Sequence, residues 1–215
     1  MYAADAFRVD EPARIAAFAA AHPLATLCVN GPHGPVAAHA PLAPVLADDG
    51  GLAALVGHVA RANPFWRAAQ AGPVAVLAVF RGAGAYVSPS AYPSKAEHGR
   101  VVPTWNYLAA EVRGLLTVET DPARMDPYLR LPTGMMEADR ARPWAVDDAP
   151  ADYLAAMARG VVGLRIEVTA AAAIAKLSQN KDAADRAGVV ADLQTRADPA
   201  ARALADLMQA ERMMS

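Results

Sequence analysis

The feature that most constrains this chain is a succession of short apolar runs separated by proline, glycine and asparagine turns. Leu24–Val29 ends at the dipeptide Asn30-Gly31, and Leu52–Val59 follows the turn residues Asp48–Gly51. Asn-Gly and Asp-Gly sequences favour the tight turns that join antiparallel strands. The run between them, Val36–Leu46, contains two prolines and is typical of an edge or bulged strand. This part of the chain therefore predicts antiparallel hairpins.

The rest of the chain predicts further strands with helices between them. Val74–Phe80 is a continuous apolar run, Val101–Glu119 has strand composition, and apolar and polar residues alternate over Leu164–Thr169. A separate strand is predicted to lead to Lys176. Helix starts are predicted where a capping residue precedes a proline or an apolar stripe, namely at Asp10, Asn63, Asp121 and Asp148.

These elements predict a mainly β protein with peripheral helices, an α+β chain built on an antiparallel barrel. Residues 182–214 have helical composition in two pieces that are split at Asp198-Pro199. In the second piece Leu204, Leu207 and Met208 form one apolar stripe. We therefore expect one barrel domain over residues 1–181 and a helical C-terminal extension over residues 182–215.

The composition narrows the class of protein. The chain has 215 residues and a formal net charge of −2, which gives no electrostatic support for DNA binding. Cys28 is the only cysteine, so no internal disulfide can form, and we predict that it is buried as a small apolar residue. The N-terminal sequence lacks the pattern of a signal peptide, and no uncharged apolar run of about 18 residues occurs. We expect a cytoplasmic protein without a membrane span.

The string Gly57–Pro64 contains the first candidate ligand contacts. Arg61 lies between a predicted strand and the helix capped by Asn63, where free backbone amides and a guanidinium suit a phosphate group. The alternative is a surface arginine that caps or pairs with nearby groups. His58 is a second candidate, and its alternative is a histidine at the rim of the core.

A second group of polar residues lies inside a strand-like segment, at Thr104-Trp105-Asn106. Trp105 can stack on a flat ring, while the threonine and the asparagine supply a hydrogen-bond donor and acceptors. The alternative is a tryptophan that anchors the core and whose neighbours pair with a loop.

The string Lys176–Asn180 ends another predicted strand and brings a lysine together with hydroxyl and amide side chains. Lys176 can neutralise a phosphate or approach an electron-rich ring, with Ser178 and Gln179 beside it. The alternative is a solvated strand end.

Several familiar catalytic motifs are absent from the sequence. No Gly-x-Gly-x-x-Gly follows a strand, no Gly-x-Ser-x-Gly elbow occurs, and the acidic residues form no catalytic pair. His39 and His58 occupy similar strand positions, but no third ligand follows at a metal-binding spacing. We therefore predict no metal site and name no catalytic residue.

Five strings in this order resemble the PaiB family, a branch of the flavin-binding split-barrel proteins related to pyridoxamine-phosphate oxidase. They are Met1-Tyr2, Gly57–Pro64, Tyr86–Tyr92, Val102–Tyr107 and Lys176–Asn180. Together they extend over most of the chain, and they are specific in combination. The resemblance implies a homodimer of split β-barrels with FMN at the subunit interface.

The resemblance also implies which residues contact FMN. It places the FMN phosphate at Arg61 and the backbone near Ala60, within a set that also contains His58 and Asn63. It places the flavin ring near Thr104, Trp105 and Asn106, with Lys176, Ser178 and Gln179 supplied by the other subunit.

Three functions follow from the resemblance. The first is an FMN-binding protein whose flavin serves redox chemistry or sensing, which includes an FMN-dependent oxidoreductase. The second is the negative transcriptional regulator for which the family is labelled, with a structural or sensory flavin. The third is a haem-handling protein in which His39 or His58 is the axial ligand.

Overall fold

The computed structural model describes the backbone of residues 1–214 and the side chains of residues 1–210. Over these residues the strands are β1 (Arg8–Val9), β2 (Leu24–Gly31), β3 (Gly34–Leu46), β4 (Leu52–Ala60), β5 (Val74–Val87), β6 (Thr104–Glu119) and β7 (Val161–Lys176). The α-helices are α1 (Pro12–Ala21), α2 (Ser94–His98), α3 (Asp126–Glu137), α4 (Ala151–Ala158), α5 (Ala183–Thr195) and α6 (Pro199–Met214). Short 3-10 helices cover Asp5–Phe7, Pro64–Ala69, Pro89–Ala91, Pro122–Arg124 and Val146–Asp148.

The strands form one mostly antiparallel sheet in the order β1-β7-β4-β3-β2-β5-β6, and β6 also pairs with β7. This last pairing returns the sheet to β7, so that six strands close into a barrel. The ladder between β4 and β7 runs from the pair Ala54 and Glu167 to the pair Ala60 and Val161. The predicted mainly β fold, an antiparallel barrel with peripheral helices, is confirmed.

The chain divides into two compact units. The barrel unit consists of Asp10–Phe80 and Ala110–Ala172. The terminal unit consists of Met1–Val9, Arg81–Ala109 and the described chain from Ala173 onward.

The core of the barrel unit follows from the alternation of side chains along its strands. In β2 the residues Ala25, Leu27 and Val29 are buried, while the residues between them are more exposed. The largest fully buried side chains of this unit are Leu27, Leu42, Leu55, Phe65, Phe80, Leu116, Met125, Leu164 and Ile166. This core packs beneath β4, the strand that ends with the predicted contact residues His58 and Ala60 and is followed directly by Arg61.

The terminal unit has its own apolar core, in which α5 and α6 pack on strand and loop residues. This core includes Val87, Tyr92, Leu177, Val189, Leu193, Leu204 and Met208. The two predicted C-terminal helices are confirmed. Asp182 caps α5 by accepting a hydrogen bond from the Asp185 N–H at 2.8 Å. Leu207, which the sequence placed in the apolar stripe of α6, is 41% exposed.

Three local predictions were wrong by small displacements. The strand predicted to lead to Lys176 is not separate, because β7 runs without interruption from Val161. The first hairpin turns at Pro32-His33 rather than at Asn30-Gly31, since Gly31 is already paired with Gly34. The N-cap of α1 is Glu11 rather than Asp10, and Pro12 takes the first helical position.

Cys28 is half-buried rather than buried, because the alternation of β2 places it on the face opposite Leu27. No helix in the described part of the chain has the length and apolar character needed to cross a membrane.

Candidate functional site

Arg61 directly follows β4 in the barrel unit, and backbone carbonyls hold its guanidinium. Its Nε donates to the Arg159 carbonyl at 2.8 Å. Its Nη2 donates to the carbonyls of Thr120 at 2.8 Å and Val161 at 2.9 Å. Among residues 1–210, Nη1 has no hydrogen-bond partner. Arg61 therefore acts as a structural clamp that keeps two N–H donors unused.

His58 lies three residues before Arg61 and contacts helix α3. Its Nδ1 is 3.0 Å from the carbonyl oxygen of Tyr128. A carbonyl only accepts, so Nδ1 carries the proton, and in the neutral ring Nε2 is then an unprotonated acceptor. The ring of Tyr128 lies on Gly163, where an added Cβ would come within 2.6 Å of a ring carbon. Burial raises the pKa of the Tyr128 phenol, and the charge of Glu119 raises it further.

A cavity of about 520 Å³ in the barrel unit is lined in part by Arg61. Trp66, Gln70, Thr117 and Thr120 also line it, together with the turn that precedes β5. The indole N–H of Trp66 donates to the Arg61 carbonyl at 3.0 Å, which fixes this wall. The volume lies within the usual range for small-ligand sites, about 300–1,000 Å³.

The predicted helix capped by Asn63 is a 3-10 helix of six residues, Pro64–Ala69. Asn63 does cap it, since its Oδ1 accepts a hydrogen bond from the Phe65 N–H at 3.0 Å. The carbonyl of Ala60 accepts from the Asn63 N–H at 2.9 Å and closes the turn after β4. These two residues shape the backbone beside Arg61. So short a helix adds little dipole, and the charge available for an anion is that of the guanidinium.

In the terminal unit, the second and third predicted strings contact each other within one chain. The Lys176 ammonium donates to the Thr104 hydroxyl at 2.5 Å. The Asn106 amide donates to the Ser178 hydroxyl at 2.8 Å. The end of β7 is thus held to the start of β6 by two side-chain hydrogen bonds, and no second subunit is needed to bring them together.

Asn106 is fully buried, and its Oδ1 has no hydrogen-bond partner within residues 1–210. Ser178 is also buried and has a positive φ of 61°, which is uncommon for a residue other than glycine. The Gln179 side chain folds back on β7, where it accepts from the Leu177 N–H and donates to the Ala175 carbonyl. These polar groups mostly satisfy each other rather than facing solvent.

Trp105 differs from its neighbours because its side chain is 56% exposed. Tyr86 lies edge-on to it, with the ring centroids 6.3 Å apart. Thr104 and Asn106 on either side are held by hydrogen bonds to β7 and the turn after it, so the backbone that carries the indole is fixed. The result is an exposed aromatic surface on a rigid base.

The structure therefore gathers the predicted residues into two groups, each within its own unit. His58, Ala60, Arg61 and Asn63 lie in the barrel unit, while Thr104, Trp105, Asn106, Lys176, Ser178 and Gln179 lie in the terminal unit. Sequence reasoning missed the cavity residues Trp66, Gln70, Thr117 and Thr120. The string directly ahead of Trp66, Gly57–Pro64, is the sequence signal that marks this region.

Among the described residues, no three histidine, cysteine or acidic side chains lie together as a metal site would require. The Nδ1 of His39 pairs with the Thr26 hydroxyl at 3.1 Å. Each of the two histidines singled out in the sequence thus has a partner of its own.

Comparison with known proteins assigns the chain to a family. Residues 1–170 match the family described as "Putative FMN-binding domain". The chain is 31% identical over 209 residues to "Protease synthase and sporulation protein PAI 2" of Bacillus subtilis, with 97% of each protein covered.

Solved structures support the fold. The FAD and haem binding protein of Mycobacterium smegmatis is similar with a TM-score of 0.58 and 18% identity, over 84% of this chain and 78% of that one. The flavocytochrome Anf3 of Azotobacter vinelandii is similar with a TM-score of 0.52 and 14% identity, over 84% of this chain and 74% of that one. The chain therefore belongs to the FMN-binding split-barrel family that the PaiB-like strings predicted, and FMN is the cofactor of that family.

Proposed function

We propose that this protein binds FMN with the phosphate end in the cavity of the barrel unit and uses the flavin for redox chemistry or sensing. The observation that carries the proposal is that Arg61 lines a cavity of about 520 Å³ while its Nη1 has no hydrogen-bond partner among residues 1–210. Arginine and phosphate form charge-assisted hydrogen bonds with defined geometry. The membership of residues 1–170 in an FMN-binding family supports the choice of ligand.

The residues around Arg61 fit this group. Thr117, Thr120 and Gln70 line the same cavity and offer hydroxyl and amide groups that suit phosphate oxygens or ribityl hydroxyls. When bound, FMN supplies the capacity to accept and donate electrons. The protein's own contribution is to hold the guanidinium in one orientation through three carbonyls, so that little ordering remains to be done on binding.

The first measurement is the visible absorption spectrum of the purified protein, followed by titration with FMN. We expect flavin bands that co-elute with the protein and an affinity that Arg61→Ala lowers by about 1.5–3 kcal/mol, roughly ten- to hundredfold. Arg67→Ala is the matched control, because Arg67 is exposed and its guanidinium lies over the Trp66 ring, 5.8 Å from its centroid. Equal FMN affinity in the wild type and in Arg61→Ala would show that Arg61 does not bind the phosphate.

We also propose that Trp105 contacts a flavin ring, on the basis of its exposure and its fixed backbone. Trp66 and Trp144 also fluoresce, so the emission of Trp105 is obtained as the difference between the wild type and Trp105→Phe. FMN should quench the emission of the wild type more than that of Trp105→Phe. Identical quenching in the two proteins would assign Trp105 a purely structural role.

We propose that the protein is a homodimer, as the family resemblance implies. Because the family is described as one of negative transcriptional regulators, DNA binding is a further proposal. The net charge of −2 does not favour contact with phosphates. Light scattering at several protein concentrations tests the dimer. Titration with the protein's own promoter DNA at two salt concentrations tests regulation, because genuine binding should weaken steeply as salt rises.

One observation favours haem as an alternative ligand. The hydrogen bond from His58 to the Tyr128 carbonyl leaves Nε2 unprotonated in the neutral ring, which is the form that binds iron. Related folds include a protein that binds haem and a flavocytochrome. A Soret band that shifts and sharpens relative to free haem in the wild type and in His39→Ala, but not in His58→Ala, would establish this alternative. A Soret band that stays that of free haem in the wild type would exclude it.

A further inference from the structure

The segment between β6 and β7, residues 121–160, is held at both ends by one side chain. We call this segment the α3–α4 insert. It leaves the barrel after Thr120, whose carbonyl accepts from Arg61 Nη2. It returns at Val161, whose carbonyl accepts from the same nitrogen, and the Arg159 carbonyl accepts from Nε. The Arg61 N–H also donates to the Gly160 carbonyl at 2.8 Å.

The same end of β4 makes a further attachment inside the insert. His58 donates to the carbonyl of Tyr128 in α3, and the Tyr128 ring lies on Gly163 of β7. His58 and Gly163 are directly opposite each other in the β4–β7 ladder. Residues 58–61 thus fix the insert at its exit, in its first helix and at its return.

The insert is anchored in the core by the buried residues Met125, Pro132, Val146 and Ala158, but much of the rest of it lies at the surface. Its bidentate ion pair joins two of its own residues, Arg130 and Asp147, at the surface. Several of its large apolar side chains are between 40% and 55% exposed, namely Leu131, Met136, Trp144, Tyr153 and Met157. Parts of a segment that bury little apolar surface open locally at low free-energy cost. The order of these exposed parts is therefore sensitive to the contacts made by residues 58–61.

We propose that occupancy of the Arg61 cavity and the folded state of the α3–α4 insert are linked through the Arg61 guanidinium. The inference rests on the proposed binding of the FMN phosphate at Arg61. When the insert opens, the three carbonyls leave the guanidinium and its orientation is lost. A phosphate bound through Nη1 favours the oriented guanidinium and hence the closed insert, and the coupling is reciprocal. The insert is then closed for a larger fraction of the time when FMN is bound than when the cavity is empty.

Hydrogen exchange measured by mass spectrometry on the full chain, with and without FMN, tests the linkage. At an FMN concentration 100 times its Kd, amides that exchange only from ligand-free states should slow by about 100-fold. We expect α3 and α4 to show this protection together with the central strands β2 and β3. Protection of β2 and β3 without protection of α3 and α4 would mean that FMN binds while the insert opens independently, which overturns the linkage alone. No protection in any segment would overturn the proposed function and the linkage with it.

The variant Arg61→Lys sharpens the test, because it keeps the charge and loses the planar fork that bridges the carbonyls. Each protein is compared at 100 times its own Kd, so that occupancy is equal. The insert should be protected in the wild type and in the control Arg67→Ala, but not in Arg61→Lys. Equal protection of the insert in all three proteins would contradict a linkage that passes through Arg61.

Discussion

The two groups of predicted site residues use polar side chains in opposite ways. In the barrel unit, Arg61 lines a cavity and holds backbone carbonyls, and two of its N–H donors have no partner within residues 1–210. In the terminal unit, Lys176 pairs with Thr104 and Asn106 pairs with Ser178. The first arrangement leaves hydrogen-bonding capacity for a ligand, whereas the second uses most of it to join β6 to the end of β7. Similar-looking polar strings can therefore serve binding in one region and architecture in another.

Arg61 and Asn106 differ in their access to water. Arg61 is partly exposed, so a lost contact can be replaced by water. Asn106 has no exposed surface, and no water can replace a lost contact there. Substitutions of Asn106 should therefore act mainly on stability, and substitutions of Arg61 on both stability and ligand binding.

The largest effect should come from Asn106→Asp, which places a carboxylate in a fully buried position. Burial disfavours the charged form, so the folded-state pKa of the new carboxyl should be raised and the free energy of unfolding lowered by about 3–5 kcal/mol at pH 7. The loss should grow as pH rises above about 4 and vanish below it, where the carboxyl is protonated in both states. Urea unfolding between pH 4 and pH 8 measures this. The control Asn106→Leu should show a pH-independent change, and parallel pH profiles for the two variants would contradict the buried-charge explanation.

Arg61→Ala should have the next largest effect on stability. It removes three charge-assisted hydrogen bonds, and because water reaches the site we expect a loss of about 2 kcal/mol in the free energy of unfolding. Chemical denaturation in the absence of FMN gives the value. Arg67→Ala should stay within about 0.5 kcal/mol of the wild type. A loss no larger than that of Arg67→Ala would mean that the clamp contributes nothing measurable.

Gly163→Ala tests the packing of α3 against strand β7. The new Cβ would lie 2.6–2.7 Å from three ring carbons of Tyr128, so the ring must move. Overpacking of this kind costs about 1–3 kcal/mol, and we expect the lower half of that range because Tyr128 is only half-buried. Thermal unfolding followed by circular dichroism measures it. An unchanged melting temperature would show that α3 shifts without cost.

Trp105→Ala should have the smallest effect on stability, within about 0.5 kcal/mol, because more than half of the side chain is exposed. Its effect on bound flavin should be much larger, seen as a change in flavin fluorescence if the indole stacks on the ring. Tyr86→Leu offers a comparison at the neighbouring exposed ring. A large loss of stability in Trp105→Ala would mean that the indole supports the terminal unit and does not serve a ligand.

Much of the fold could be predicted from local patterns. The hairpins, the barrel class, the Asn63 cap and the break between α5 and α6 at Pro199 all follow from turn chemistry and periodicity. Errors arose where a tertiary contact overrode a local signal. The pairing of Gly31 with Gly34 moved the first hairpin turn to Pro32-His33, and pairing along β7 kept one strand intact where two were expected.

The sequence by itself determined the family and the antiparallel barrel, and it marked the strings in which ligand contacts are proposed, because these depend on residue type and short-range spacing. Only the tertiary structure decided how those residues are used. The partners of Arg61 are 59 to 100 positions away, and those of Asn106 are 72 and 102 positions away. Whether a polar side chain keeps a free donor depends on what the fold brings to it across such separations, and no local pattern contains that information.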